Sequence, residues 1–200
     1  MYIFFDLGST LVDETLCERQ RVLDTVAGTA VSPAAFEETM RQAAKKNEPA
    51  YACACRYYVL PKQPWRQDLE RLYPGVGPLL KRLSDRHSLG LIANQSPGLD
   101  ARLKAFGIGD CFSVVVSSGD WGINKPNPQL FQDAMTWAAC TPDQAVMVGD
   151  RLDNDIAPAQ SLGMKTVWVR QSLGACGNPA LLPKPPDAVI NSILELETFF

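Results

Sequence analysis

Short apolar runs alternate with helical patterns along most of the chain. The runs are three to five residues long, which is typical of strands buried on both faces. Between them, apolar residues recur three or four positions apart, which predicts amphipathic helices. The predicted strands are residues 2–5, 89–93, 112–116, 145–148, 165–169 and, as a last short one, 188–190. Such alternation predicts an α/β fold with a mostly parallel, Rossmann-like sheet and helices on both faces.

The stretch from residue 14 to residue 74 lacks this alternation. A serine–proline pair at residues 32–33 is typical of a helix start. Residues 65–72 show a further helical stripe, ended by a Tyr-Pro-Gly sequence. We therefore expect one α/β core formed by residues 1–13 and 75–200, interrupted by a small helical domain.

Charge and hydropathy exclude several classes of protein. The formal net charge of −3, the pI near 5.2 and the lack of a long Lys/Arg run argue against nucleic-acid binding. No apolar stretch is long enough to span a membrane. Asp6 interrupts the first apolar run and no basic region precedes it, so we expect no signal peptide and a cytoplasmic protein. The oligomeric state stays open.

Zinc and serine-hydrolase chemistry are both disfavoured. The chain has 6 cysteines, of which Cys53 and Cys55 form a C-x-C pair. A tetrahedral zinc site needs two more ligands, and His87 is the only histidine. A Ser-His-Asp mechanism would have to use that same histidine, and no G-x-S-x-G sequence is present.

Polar residues stand where predicted strands end. Asp6 follows the first strand, Asn94 the second and Asp150 the fourth, while Lys125 lies in a loop before a helix. Ligands of open α/β sheets bind beyond the carboxyl ends of the strands. Two carboxylates with a lysine suit a magnesium ion and a phosphate group, because the acids hold the hard cation and the lysine offsets the anionic charge.

Short motifs give these residues a family resemblance. The chain resembles the haloacid dehalogenase (HAD) superfamily, whose motifs it carries in the family's order. They are FDLGSTL from residue 5, IANQS from residue 92, KPNP from residue 125 and VGDRLDNDI from residue 148. The helical stretch of residues 14–74 has the position of the family's cap domain.

The resemblance implies a phosphohydrolase. Asp6 would be the nucleophile that forms an aspartyl-phosphate, and Lys125 would orient it. Mg²⁺ would be held by Asp6, Asp150 and the backbone carbonyl of Gly8, with Asp155 behind these ligands.

The same resemblance implies how the substrate binds. Thr10, Asn94 and Lys125 would contact the phosphate, and Thr10 would also fix the loop after the first strand. The substrate would be a small phosphorylated molecule chosen by the helical domain.

Two positions depart from the family pattern. Phosphatases of the family carry an aspartate two residues after the nucleophile, where this chain has Gly8. That aspartate protonates the leaving group, and such catalysis is worth about 10²–10⁴-fold. We therefore expect activity restricted to activated aryl and acyl phosphates. At the end of the second strand, Ala93 replaces the usual hydroxyl residue, and Ser96 is a candidate substitute.

Two other functions remain open at this point. Because Gly8 carries no acid, the chain could be a non-catalytic or strongly impaired module that binds a phosphorylated ligand. A metal-independent, dehalogenase-like hydrolase is the second alternative. That branch also lacks the second aspartate, but it has a bulky aromatic residue where Gly8 stands.

Overall fold

Parallel strands form the central sheet of the computed structural model, which describes residues 1–200. The sheet has 6 strands in the order β5-β4-β1-β6-β7-β8, and all neighbours pair in parallel. In chain order the strands are β1 (Tyr2–Phe5), β2 (Val12–Asp13), β3 (Arg71–Leu72), β4 (Ser88–Ala93), β5 (Val114–Ser117), β6 (Ala145–Gly149), β7 (Lys165–Val169) and β8 (Ala188–Ile190). The predicted parallel α/β sheet is confirmed, including its short last strand.

Helices cover both faces of this sheet. The helices of the whole chain are α1 (Thr15–Val26), α2 (Pro33–Ala44), α3 (Ala50–Tyr58), α4 (Val76–Ser84), α5 (Leu99–Ala105), α6 (Ser118–Trp121), α7 (Pro128–Trp137) and α8 (Ala157–Ser161), and those from α4 onwards accompany the sheet. Because strand side chains alternate between faces, Ile3 and Phe5 of β1 pack with α4 and α5, whereas Phe4 packs with α7. All three side chains are fully buried, so β1 is the centre of the core.

Helices α1, α2 and α3 pack on one another rather than on the sheet. Their cluster includes Val22, Phe36, Met40 and Cys55, all buried. Ser32 begins α2 as predicted, because its hydroxyl accepts a hydrogen bond from the backbone N–H of Ala35. The chain leaves β1 and returns to α4 through an antiparallel ribbon of β2 and β3, separate from the central sheet.

The helix predicted over residues 65–72 is wrong. Residues Gln67–Leu69 form a single 3-10 turn, and Arg71–Leu72 are strand β3. Leu72 pairs with Val12, and the N–H of Tyr73 donates to the carbonyl of Leu11 at 3.1 Å. Pairing with the strand that leaves the core therefore overrides the helical spacing of the apolar residues.

Helix α5 begins at Leu99, directly after Gly98, which lies in the left-handed region with φ of 87°. No helix is both long and apolar enough to cross a lipid bilayer.

Gly90 provides a test of how β1 packs. Gly90 lies opposite Phe4 in the β4–β1 register, and a Cβ built on it would come within 2.6 Å of the Phe4 ring. That ring is stacked on Tyr2 with centroids 4.8 Å apart. We expect Gly90→Ala to lower the free energy of unfolding by about 1–3 kcal/mol, because the buried ring must move. Urea unfolding measures this.

The matched control is Gly77→Ala. Gly77 lies in α4, and a Cβ there would meet nothing within 4 Å. Alanine is the better helix former, so this variant should gain up to about 1 kcal/mol. Equal stability of the two variants would contradict the packing described for Phe4.

Candidate active site

The candidate site lies where the strand order reverses. From β1 the chain continues to β4 on one side, whereas from β6 it continues to β7 on the other. A crevice opens at such a switch point, beyond the carboxyl ends of the strands. Asp6 follows β1 and Asp150 is the residue after β6, so the topology brings both acids to this crevice. The N–H of Asp6 donates to the carbonyl of Val148 at 2.9 Å, which fixes the two strand ends together.

Lys125 is the cation of the site. Its Nζ donates to Asp6 Oδ1 at 2.6 Å, to Asp155 Oδ1 at 2.7 Å and to the carbonyl of Ile92 at 2.8 Å. These contacts use all the donors of an ammonium group, whose side chain is only 1% exposed. Burial alone lowers the pKa of Lys125, but the charges of Asp155 and Asp6 outweigh it and raise that pKa. Lys125 is therefore a fixed positive charge between two acids.

Asn94 holds the backbone that carries this lysine. The side-chain amide of Asn94 donates to the carbonyl of Lys125 at 2.9 Å, and its oxygen accepts from the N–H of Lys125 at 2.7 Å. Asn94 follows β4, so its two bonds tie the lysine loop to the sheet. Asn94 also lines the cavity beside Asp6.

Three carboxylates cluster at this site, and two of them, Asp6 and Asp155, bond the ammonium group. Oxygens of Asp6, Asp150 and Asp155 all lie within 4.8 Å of one another. Burial, opposed by the charge of Lys125, raises the pKa of Asp6 to about 6. Burial and the charges of Asp155 and Asp6 raise the pKa of Asp150 well above its ordinary value. The cluster therefore holds more negative charge than one lysine balances.

Close backbone approaches shape this cluster. A Cβ on Gly149 would lie 2.5 Å from Asp155 Oδ2, and a Cβ on Gly174 would lie 2.5 Å from Asp150 Oδ2. Asp155 Oδ2 also accepts the N–H of Arg151 at 3.0 Å. Glycine at both positions therefore leaves room for the two carboxylates.

The remaining predicted site residues, Thr10, Gly8 and Ser96, differ from one another in where they lie relative to the acids and the cavity. Thr10 is fully buried, with Oγ1 3.4 Å from both Asp6 Oδ2 and Asp150 Oδ1, so it lies between the two acids. Gly8 lines the cavity. Ser96, the candidate substitute for Ala93, accepts a hydrogen bond from Gln67 at 3.2 Å and lies outside the cavity lining.

A cavity of about 260 Å³ opens above the acids. Asp6 and Lys125, which belong to the α/β part of the chain, line this cavity, and so do Arg21 and Tyr51 of the helical segment. The Arg21 guanidinium stacks on the Tyr51 ring at 3.8 Å from the centroid. The lining is mainly polar, with 6 hydrophobic residues among 24. A small, charged molecule suits this cavity.

Glu14 is a site residue that sequence reasoning missed. A Cβ on Gly8 would lie 2.5 Å from Glu14 Oε2 and closer still to Oε1. Ser9 Oγ donates to Glu14 Oε2 at 3.1 Å. Burial, with the charge of Asp6 adding to it, raises the pKa of Glu14 to about 8. The only signal in the sequence is an acid just before a helix, which by itself predicts nothing about the site.

Comparison with known proteins agrees with the fold and identifies the family. The model of the haloacid dehalogenase-like hydrolase family matches residues 3–169. A phosphoserine phosphatase of Thermus thermophilus is 36% identical over 104 residues, covering 51% of this chain and 42% of that protein. A glyceraldehyde 3-phosphate phosphatase of Pyrococcus furiosus is 35% identical over 102 residues, covering 50% of this chain and 42% of that protein. The matches thus span less than half the length of these relatives.

Solved structures share the fold over almost the whole chain. A HAD phosphatase from Thermococcus onnurineus has a TM-score of 0.65 at 23% identity, covering 99% of this chain and 96% of that one. A 2-haloacid dehalogenase from Pseudomonas syringae has a TM-score of 0.62 at 23% identity, covering 98% and 96%. The fold is therefore common to phosphatases and dehalogenases. Together with the family model and the motif residues gathered at the switch point, it shows that this chain belongs to the haloacid dehalogenase-like hydrolase family.

Proposed function

We propose that this protein is a magnesium-dependent phosphohydrolase that acts on small phosphate esters through an aspartyl-phosphate on Asp6. The observation that carries the proposal is the buried Lys125 ammonium, paired with Asp6 and Asp155 beside Asp150 at the cavity. The names of the Thermus and Pyrococcus relatives, both phosphatases, support the reaction class.

Asp6 has the features of an oriented nucleophile. Lys125 holds Oδ1 at 2.6 Å, whereas Oδ2 has only the long contact of 3.4 Å with Thr10. One oxygen is thus fixed and the other is the candidate to attack phosphorus. The ammonium group would also screen the dianionic phosphate from the carboxylates around it.

The donor set at this site fits Mg²⁺. If all three carboxylates are ionised, they and the one ammonium leave a formal charge of −2. Asp6, Asp150 and the Gly8 carbonyl would hold the ion, since magnesium prefers such hard oxygen ligands. Asp155, which already bonds Lys125 and the Arg151 N–H, would lie behind them. When bound, Mg²⁺ supplies charge neutralisation at the phosphoryl oxygens.

The helical segment would select the substrate. We propose that residues 1–13 and 75–200 form the catalytic core and residues 14–74 a cap over it. Arg21 and Tyr51 of that segment line the same cavity as Asp6, so substrates would contact both units. The cavity of about 260 Å³ favours a small phosphorylated molecule.

The dehalogenase alternative fits the acids less well. A metal-independent reaction would leave three clustered carboxylates with one lysine, and this excess of buried negative charge favours a site that holds a cation. The non-catalytic alternative depends on the missing acid at Gly8. A turnover measurement distinguishes this alternative from the phosphohydrolase, because a non-catalytic module would bind a phosphorylated ligand without hydrolysing it.

The nucleophile is tested by Asp6→Asn. We expect the turnover of an aryl phosphate in Mg²⁺ to be more than about 10³-fold lower in this variant than in wild type, because the amide is a poor nucleophile. Release of the phenol measures it. Asp143→Asn, in an exposed turn, is the control and should match wild type. Equal activity of Asp6→Asn and wild type would reject the covalent mechanism.

Magnesium binding is tested by Asp150→Ala. Removing this carboxylate should abolish Mg²⁺ binding in calorimetry, because it takes away both a ligand oxygen and a negative charge. The same Asp143→Asn variant should bind Mg²⁺ like wild type. Unchanged Mg²⁺ affinity in Asp150→Ala would mean that the ion binds elsewhere.

The buried cation is tested by Lys125→Met in the absence of Mg²⁺. This change leaves Asp6 and Asp155 without their positive partner in a buried site, so we expect a loss of about 3–5 kcal/mol in the free energy of unfolding. Denaturant unfolding measures it. Lys165→Met, at the exposed start of β7, should change stability by less than about 0.5 kcal/mol. A Lys125 variant as stable as that control would show that the ion pairs contribute nothing.

A further inference from the structure

Gly8 has no side chain, yet the space beside it holds a carboxyl group. A Cβ built on Gly8 would lie 2.5 Å from Glu14 Oε2 and closer to Oε1, and 2.7 Å from Cδ of the same side chain. Real Cβ atoms do not approach other atoms so closely. The Glu14 carboxyl therefore fills the space in which a side chain at position 8 would begin.

The backbone conformation of Gly8 would permit a side chain at this position. Gly8 is not in the left-handed region; its neighbour Ser9 is, with φ of 57°. Backbone strain at residue 8 is thus no obstacle to another residue there. The obstacle is the Glu14 side chain.

The fold presents the Glu14 carboxyl to the cavity. Glu14 directly precedes α1, and its backbone carbonyl accepts the N–H of Glu18 at 2.8 Å. Its side chain does not cap the helix. It accepts a hydrogen bond from Ser9 Oγ at 3.1 Å instead, and it lines the cavity together with Asp6. The loop that carries the nucleophile thus holds a carboxyl group supplied by the next element.

We propose that Glu14 is the general acid and base of the reaction, doing from the start of α1 what the family's aspartate does from position 8. The inference rests on the proposed function. It replaces the expectation that only activated esters react, because an enzyme carboxylic acid can protonate an alkyl leaving group. Glu18 also lines the cavity, one helical turn further on, but Gly8 lies against Glu14.

The two half-reactions balance with Glu14 as the only proton carrier. First, an Asp6 oxygen attacks phosphorus, the bond from phosphorus to the ester oxygen breaks, and protonated Glu14 gives that oxygen its proton. The alcohol leaves, and an aspartyl-phosphate and a Glu14 carboxylate remain. Then the carboxylate takes a proton from water as the water oxygen attacks phosphorus. The bond to Asp6 breaks, phosphate leaves, and Glu14 is protonated again.

The first experiment compares wild type with Glu14→Gln in Mg²⁺. Glutamine keeps the size and the acceptor oxygen for Ser9 but cannot donate a carboxylic proton. We expect turnover of an alkyl phosphate to fall by about 10²–10⁴-fold. With an aryl phosphate, the phenol should leave in a burst of about one equivalent per enzyme, followed by slow turnover, because water is no longer activated.

A chemical signature accompanies that burst. Acid quenching of Glu14→Gln with phosphate-labelled aryl ester should trap label on the protein, and the label should be absent in Asp6→Asn. The control is Asp24→Asn, an exposed acid on the same helix, which should behave like wild type. Circular dichroism checks that all variants are folded.

The second experiment moves the acid back to position 8. Glu14→Ala should lose alkyl phosphate turnover as Glu14→Gln does. Adding Gly8→Asp to Glu14→Ala should raise that turnover at least about tenfold, because the space beside residue 8 is then free for the new carboxyl group. This rescue keeps the proposal falsifiable if Glu14→Gln folds poorly.

Each remaining outcome overturns the proposal in a distinguishable way. Glu14→Gln with full alkyl turnover and no burst would make Glu14 a structural residue, while the Asp6→Asn result would leave the phosphohydrolase standing. Wild type that hydrolyses aryl but not alkyl esters would show that no acid acts. Wild type inert towards every ester, with and without Mg²⁺, would reject the proposed function and this inference together.

Discussion

The buried ammonium group of Lys125 is the constraint on which the site depends. A desolvated charge is tolerated only when its partners are in place, and here these are two carboxylates and one backbone carbonyl. The partners come from β1, from β4 and from the turn after β6. Every one of these elements must therefore be in register before the lysine can be buried. The site and the centre of the sheet are stabilised together.

The acids create a second requirement, which the lysine alone does not meet. Three carboxylates within 4.8 Å repel one another, and burial strengthens that repulsion. The pKa values of Asp6 and Asp150 are raised for the same reasons, because a protonated carboxyl group carries no charge. A divalent cation relieves this repulsion without removing the charges that a nucleophile and its metal ligands need. This electrostatic repulsion is the physical reason for the proposed pairing of an ammonium group with a hard cation at this site.

Much of this arrangement could be predicted from the sequence. Continuous apolar runs identified the sheet, and because parallel strands end at one edge, Asp6, Asp150 and Lys125 were expected together. Glu14 could not be found this way, because a loop and a ribbon strand separate it from Gly8. The helix expected over residues 65–72 failed for a related reason. Its apolar spacing is helical, but Leu72 pairs with Val12 across 60 positions of sequence, a contact that local periodicity does not encode.

The missing side chain at Gly8 and the position of the Glu14 carboxyl group are sterically linked. A side chain at residue 8 and the present Glu14 conformation exclude one another, because the Cβ would overlap the carboxyl group. The loop after β1 therefore accommodates one acid from either position. Supplying it from residue 14 attaches the acid to the start of α1, and hence to the helical segment that also contributes Arg21 and Tyr51 to the cavity. The position of the proposed acid, Glu14, then depends on that segment, whereas the position of the proposed nucleophile, Asp6, depends on the sheet.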